Sequence, residues 1–370
     1  MEQWPQFYKQ LLRAILKNVG LIFLILSVNQ KVFSSILTIA DNIQNKIESN
    51  LYHFKPYLQS HYAIRMFRLT ANQKYLYPII FNQLAAKIQY ENLNRKIKWN
   101  HNLDLGFKMD LDENFDAMNK WEKRKYIINH FPEIELKLQM LYILTIASDL
   151  NLMNSTLYPN SNHVIEQLKK DSMQLKRFLL NPILIKYASP NIAFHVYALR
   201  NLKIIDITND YQEAFQKVFE EKMARQLTDA EYTEKIYGMT HIIFAASSYY
   251  QHKVPREDFN WIYDYFDSHI DDIISRLKYD IIIEVGICYL LADNITNRQP
   301  IDKIRQYIKQ RYDPITNVIN EPWDRGRIEK AEHRNVLTIL FLKWNNNLHP
   351  GPDLLNSEPF KVIMKPRDPL

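Results

Sequence analysis

Glu284 is the only ionisable side chain between Ile281 and Ala292, in a run that is otherwise almost wholly apolar. A carboxylate buried without a partner is costly, so it takes up a proton with a raised pKa or pairs with a cation. Glu284 therefore reads as a general acid or base facing a wet cavity, or as half of a structural ion pair. His241 and His333 stand 43 and 49 residues to either side of it. Imidazole titrates near neutrality and suits proton exchange with a carboxyl group, although a histidine beside an apolar face also serves as a hydrogen-bonded core residue. The segment Glu321-Pro-Trp-Asp-Arg-Gly-Arg327, followed by Glu329 and Glu332-His-Arg-Asn335, gathers further chemistry within fifteen residues. Asp324 and Glu332 join Glu284 as acid/base candidates, with His241 and His333 as their partners. Trp323 is a candidate sugar-stacking platform, and Arg334, His61 and Arg65 complete a candidate substrate-binding set. Helix capping with solvated charge is the plainer reading of Asp324 and its neighbours. His61 and Arg65, one turn apart, share a helix face. Arg65 and Arg200 either pin carboxylates between helices or bind an anionic substrate. No two of these histidines have the H-E-x-x-H spacing, so a metal would need tertiary assembly, and no metal or other cofactor is expected.

Such groups need rigid elements to hold them. Five stretches each read as the buried first helix of a helical hairpin: His61-Tyr-Ala-Ile-Arg65, His195-Val-Tyr-Ala-Leu-Arg200, Thr240-His-Ile-Ile-Phe244, Ile281-Ile-Ile-Glu-Val285 and Glu332-His-Arg-Asn335. Met239, Ile242, Ile243, Ala246, Tyr249 and Tyr250 recur at three- and four-residue spacing, which predicts a helix through all of them. From Asp258 to Leu277 apolar and acidic residues alternate as on a half-exposed helix, with Pro255 suited to its first turn. The apolar run around Glu284, a polar loop to Gln299 and an amphipathic helix opened by Pro300 and ending near Tyr312 repeat that scheme. Leu138 to Leu150 fits the buried-helix template as well. Tyr62-Ala-Ile-Arg65 followed by Tyr75 parallels Tyr197-Ala-Leu-Arg200 followed by Tyr211, with one residue inserted. Two-helix units of roughly 40–47 residues mark a helical solenoid. The expectation is an all-α chain, an (α/α) toroid or closed helical-hairpin solenoid, forming a single domain over residues 41–370. If the solenoid closes, His241, Glu284 and His333 should meet near its axis.

Composition removes several classes. The 370 residues include only six glycines, against a usual share of about 7%. Neither a phosphate-cradling G-x-G-x-x-G or G-x-x-x-x-G-K nor a G-x-S-x-G elbow occurs. Cys288 is the only cysteine, which rules out an intramolecular disulfide and a cysteine-based zinc site. The net charge of +6 falls to +3 once residues 1–40 are set aside, and no Lys/Arg run with interleaved aromatics appears, so nucleic acid is an unlikely partner. Mixed-sign segments such as Glu220-Glu-Lys-Met-Ala-Arg225 read as solvated helix faces. Asp104, Asp110, Asp112, Glu113 and Asp116 read as a polar loop, with an acidic substrate or metal contact as the alternative.

Lys9, Arg13 and Lys17 precede an uncharged stretch from Asn18 to Gln30 with its apolar core from Val19 to Leu26. That order is typical of a signal peptide or membrane anchor, and Thr38-Ile-Ala40 offers a small-x-small cleavage site. Asn29, Gln30 and Lys31 interrupt the segment before it reaches the about 20 residues of a comfortable span. Residues 1–40 are assigned as a signal peptide or N-terminal membrane anchor, with a docked amphipathic helix as the alternative. The chain is expected to be exported, periplasmic or inner-membrane anchored, touching membrane only through this segment; a cytoplasmic location stays open.

The runs Ser60-His-Tyr-Ala-Ile-Arg-Met-Phe-Arg-Leu-Thr70, Tyr237-Gly-Met-Thr-His-Ile-Ile-Phe-Ala-Ala-Ser247 and Ala331-Glu-His-Arg-Asn335 resemble an uncharacterised bacterial family of unknown function. The resemblance covers most of the chain after the leader. It implies a bacterial, exported protein and brings no known activity. More loosely, the hairpin pattern is similar to the toroids of glycoside hydrolases, polysaccharide lyases, terpenoid cyclases and lanthionine cyclases. The last bind zinc through cysteines that a single Cys288 cannot supply, and Asp110-Leu-Asp-Glu113 departs from the acid-rich motif of terpenoid cyclases. The leading expectation is an enzyme acting on a carbohydrate or cell-envelope polymer through paired carboxyl groups. The alternative is a non-catalytic helical-repeat scaffold binding a protein partner.

Overall fold

The computed structural model describes residues 36–99, 118, 120–220 and 227–365. The segment through residue 35 that holds most of the expected signal peptide or anchor, the acidic stretch from Asp104 to Asp116 and residues 221–225 of the mixed-charge segment lie outside them. The described chain is all-helical and holds no strand. Helix α1 spans 36–48. It is followed by α2 (Pro56–Thr70), α3 (Leu76–Lys96), α4 (Lys120–Asn129), α5 (Pro132–Asp149), α6 (Ser161–Lys170), α7 (Ser172–Leu179) and α8 (Pro182–Asn201). Then come α9 (Thr208–Val218), α10 (Asp229–Ala246), α11 (Asn260–Arg276), α12 (Tyr279–Leu291), α13 (Gln299–Arg311), α14 (Ile328–Leu342) and α15 (Glu358–Met364). None of these is long and apolar enough to cross a membrane. Ile36, Ile39 and Ala40 are buried together with Ile43 and Ile47. The boundary drawn between residues 40 and 41 thus falls inside a packed helix.

Two kinds of helix alternate, as the periodicity predicts. In α12 every residue from Ile281 to Leu291 is buried, and in α14 burial is continuous from Arg334 to Leu342. Helix α13 buries only Pro300, Ile301, Ile304 and Ile308, a single stripe at helical spacing, and its other faces meet solvent. Each fully buried aliphatic side chain contributes about 1.5–3 kcal/mol relative to exposure, so the inner helices hold the assembly together. Contacts between helices run in a chain: α2 against α14, α14 against α12, α12 against α10, α10 against α8, α8 against α5, α5 against α3, and α3 back to α2. The first and last buried helices are therefore neighbours.

Local chemistry fixes the helix bearing His241. Thr228 and Glu231 form a reciprocal capping box at the start of α10. Gly238 lets α10 approach α8 and α9, because a Cβ there would lie 2.6 Å from Ser189 Cβ and 2.5 Å from the Phe215 ring. Helix α8 itself bends at Ala188, two residues before Pro190, whose ring nitrogen cannot donate to the preceding turn. The far end of α10 departs from the periodic reading. The helix stops at Ala246, and Ser248, Tyr249 and Tyr250 all take left-handed backbone angles, with φ of 51°, 54° and 74°. Three consecutive non-glycine residues in this region are costly, at about 1–2 kcal/mol each. The turn redirects Tyr249 and Tyr250 off the helix line that their spacing implied.

Candidate functional site

Glu284 sits on α12 with 1% of its surface exposed, and His241 and His333 reach it from both neighbouring helices. Its Oε2 is 3.7 Å from His241 Nδ1 and its Oε1 is 4.0 Å from His333 Nε2. Thr240 Oγ1 lies 2.8 Å from Glu284 Oε2 and 2.9 Å from the Tyr237 carbonyl. One hydroxyl hydrogen cannot serve both oxygens. When Glu284 carries a proton, it donates to Thr240 while Thr240 donates to Tyr237, and every group is satisfied. Burial pushes the Glu284 carboxyl up to about 8; the neighbouring Asp280 adds to this, against the Thr240 hydrogen bond and the Arg65 charge. His241 Nδ1–H donates to the Tyr237 carbonyl at 3.0 Å, which leaves Nε2 as the acceptor nitrogen of the neutral ring.

His333 is oriented by a second carboxylate. Its Nδ1–H donates to Asp280 Oδ2 at 2.9 Å, so Nε2 faces Glu284. Asp280 is partly buried, yet hydrogen bonds from His333 and Arg334 outweigh that burial and keep it more acidic than usual. The outcome is a row of three groups, the Asp280 carboxylate, the His333 imidazole and the Glu284 carboxyl, with a hydrogen bond at the first step and a 4.0 Å separation at the second. A parallel pair lies alongside. His61 Nδ1 is 3.0 Å from both oxygens of the fully buried Glu332, and the His61 and His333 rings are 5.4 Å apart. Burial raises Glu332 to about 7, and it drives His61 well below the ordinary imidazole range with help from the Arg65 and His333 charges. The three histidines retain accessible surface, 27% for His61, 15% for His241 and 35% for His333, so the cluster opens to solvent.

Next to His61 lies a cavity of about 440 Å³ between α2, α3, α5 and the left-handed turn, with Arg65, Tyr142, Phe194, Tyr249 and Tyr250 among its walls. Arg68 holds the turn in place. It is buried and donates to the carbonyls of Tyr249 at 2.7 Å and Gly351 at 3.0 Å, while Asp149 lies 3.4 Å from its third nitrogen. Charge-assisted hydrogen bonds to carbonyls exposed by the non-helical backbone offset the cost of its strained angles.

The sequence-derived candidates divide. His241, Glu284 and His333 come together, and Glu332 and His61 join them from α14 and α2. Arg65 lines the cavity. Asp324 does not enter the cluster: it is 1% exposed and accepts from Arg334 and from the Glu321 amide. Arg334 in turn reaches Asp280 at 3.4 Å, so both act on the cluster through that carboxylate. Trp323 is half exposed with Lys278 6.0 Å over its ring, and it faces neither the histidines nor the cavity walls named above. Neither Arg65 nor Arg200 pins a carboxylate at ion-pair distance among the described residues, against the bridging role considered for them; Arg200 instead lies 4.7 Å over the Tyr197 ring. His195 stands apart, with Nδ1 buried and unbonded, and burial lowers it to about 4. Asp280, Thr240 and Tyr142 were missed. Asp280 carried a signal, since it lies one helical turn before Glu284 and shares its face. Among the described residues no group of three or more His, Cys, Asp or Glu has an arrangement fit to hold a metal ion.

No curated protein and no solved structure matches the chain. A family model described as a domain of unknown function (DUF3541) matches residues 36–367, and the chain belongs to that family.

Proposed function

We propose that this protein is an enzyme on an (α/α) toroid, one domain closed by α14 against α2, acting on a carbohydrate or cell-envelope polymer by carboxyl acid/base chemistry. The observation that carries this reading is convergence. Glu284, His241, His333, Glu332 and His61 come from four different helices, α2, α10, α12 and α14, to one place beside an aromatic-walled cavity. Packing alone does not call for three partly accessible imidazoles around two buried carboxyls. Glu284, titrating at about 8, holds its proton at neutral pH and can give it to a leaving oxygen. His333, fixed by Asp280, can return a proton to it through Nε2. Glu332 with His61 is the second carboxyl, the base or nucleophile that glycosidic cleavage requires. Arg334 and Asp324 position Asp280. The segment before α1, as signal peptide or anchor, would bring the chain to such a polymer.

The test is a screen of the purified protein against cell-wall and polysaccharide substrates, with Glu284→Gln and Glu332→Gln alongside. Turnover should fall at least about 100-fold in either variant. Full turnover in both variants, or no turnover of any substrate by the native protein, would sink the enzyme reading. A non-catalytic scaffold for a protein partner is the second reading. It is favoured by Tyr77, Phe81 and Ile88, exposed on α3 at spacings that place them along one face.

A further inference from the structure

Arg65 is out of balance with its surroundings. Its side chain lines the 440 Å³ cavity and is only partly exposed. Among the described residues no carboxylate comes within ion-pair distance of it. Its Nη1 donates to the His61 carbonyl at 3.0 Å, and the Tyr250 ring lies 5.8 Å away. Its Nε is buried with no acceptor at all. The two buried arginines among the described residues each have a carboxylate: Arg68 has Asp149, and Arg334 has Asp324 and Asp280. A guanidinium drawn into a cavity and left unpaired is costly unless something supplies the anion.

The rest of the wall says what kind of anion. Asn82, Gln83 and Gln89 of α3 present three amides to the same cavity, opposite Tyr142 and Phe194. Gln83 Oε1 already accepts from the Tyr158 hydroxyl at 2.6 Å, which leaves its amide nitrogen as the group to be matched. An apolar acid would desolvate these amides without replacing their hydrogen bonds. A ligand with several hydroxyls and a hydrophobic ring face satisfies amides and aromatic walls together. The cavity offers one uncommitted cation, since the Arg68 charge is spent on Asp149 and on backbone carbonyls. One free guanidinium matches a carboxylate monoanion, whereas a phosphate dianion calls for more positive charge.

We infer that the cavity binds an acidic sugar, a pyranose unit bearing a carboxylate, with the carboxylate on Arg65, the hydroxyls on Asn82, Gln83 and Gln89, and a ring face against Tyr142 and Phe194. This deepens the enzyme reading, because it makes that cavity the substrate site and places the acidic unit next to His61 and Glu332. Glu284, protonated at neutral pH, does not compensate Arg65 from a distance.

Isothermal calorimetry on the whole protein tests this without any turnover. The probes are a glucuronate-containing disaccharide, its neutral glucose counterpart and glucose 6-phosphate. The acidic disaccharide should bind at least about tenfold more tightly than the neutral one, the worth of one charge-assisted contact. Arg65→Gln should erase that preference, and Arg65→Lys should keep part of it. Equal binding of acidic and neutral sugars, or tighter binding of the phosphate, overturns the inference. If Arg65→Gln fails to fold, the native protein still decides: the acidic preference must shrink as salt rises, and a salt-independent preference refutes the ion pair. Failure of the catalytic reading looks different. Acidic sugars would then bind in the Arg65-dependent way but remain uncleaved, whereas cleavage of neutral polymers with no acidic preference would leave catalysis standing and remove this inference.

Discussion

Replacing Glu284 by Gln should make the folded protein more stable in alkaline solution and change little in acid. Glu284 is fully buried, with an ordinary value of 4.5 raised to about 8 in the native fold. Below the lower value both native and unfolded chains carry the proton, and the group costs nothing. Between the two values the unfolded chain releases the proton and the native chain keeps it, so each pH unit favours unfolding by about 1.4 kcal/mol. Stability is thus fully present in acid and is lost as pH rises through the native value, to a ceiling of about 5 kcal/mol. Gln fills the same volume, does not titrate and can still donate to Thr240 through its amide nitrogen. Urea unfolding of both proteins at about pH 5, 7 and 9 reads the difference directly. The expected result is near equality at the lowest pH and a gap of several kcal/mol in favour of the variant at the highest. Parallel profiles, within about 0.5 kcal/mol across the range, would show that Glu284 is ionised in the native fold. The proton-donor role would fall with them.

Other perturbations address the frame around the site. Arg68→Met should cost about 2–3 kcal/mol in urea unfolding, because it leaves the half-buried Asp149 without its cation and the carbonyl of Tyr249 without its donor. Ser248→Gly should raise stability by about 0.5–1 kcal/mol, since glycine accepts a φ of 51° that serine resists. Gly238→Ala should lower the melting temperature by an amount equivalent to about 1–3 kcal/mol, because its methyl group would press on Ser189 and Phe215. Unchanged melting in that variant would mean α8 and α10 separate more easily than their packing implies.

Helical character was legible because period and burial coincide: the run around Glu284 is apolar on every face, and α13 shows its three isoleucines at positions 301, 304 and 308. The meeting of His241, Glu284 and His333 was legible for the same reason, as equivalent points on successive buried helices. The His61–Glu332 pair was present only as two separate candidates, since nothing local links positions 271 apart. Tyr249 and Tyr250 misled. Their spacing continues the α10 stripe, but the left-handed turn is enforced by Arg68, a residue of another helix. Asp324 looked like chemistry because it sits in a charged loop next to Trp323. Its burial against Arg334 shows that charge density in sequence does not distinguish a reacting group from a brace.

The contact of α14 with α2 also has a consequence for synthesis. The two halves of the His61–Glu332 pair are 271 residues apart, so a product that ends before Glu332 cannot assemble it. Earlier helices can pack as they emerge, because most of their contacts join helices only a few places apart along the chain. The paired carboxyls can gather only after translation has passed residue 332. A nascent or truncated chain that stops before that residue therefore lacks the pair.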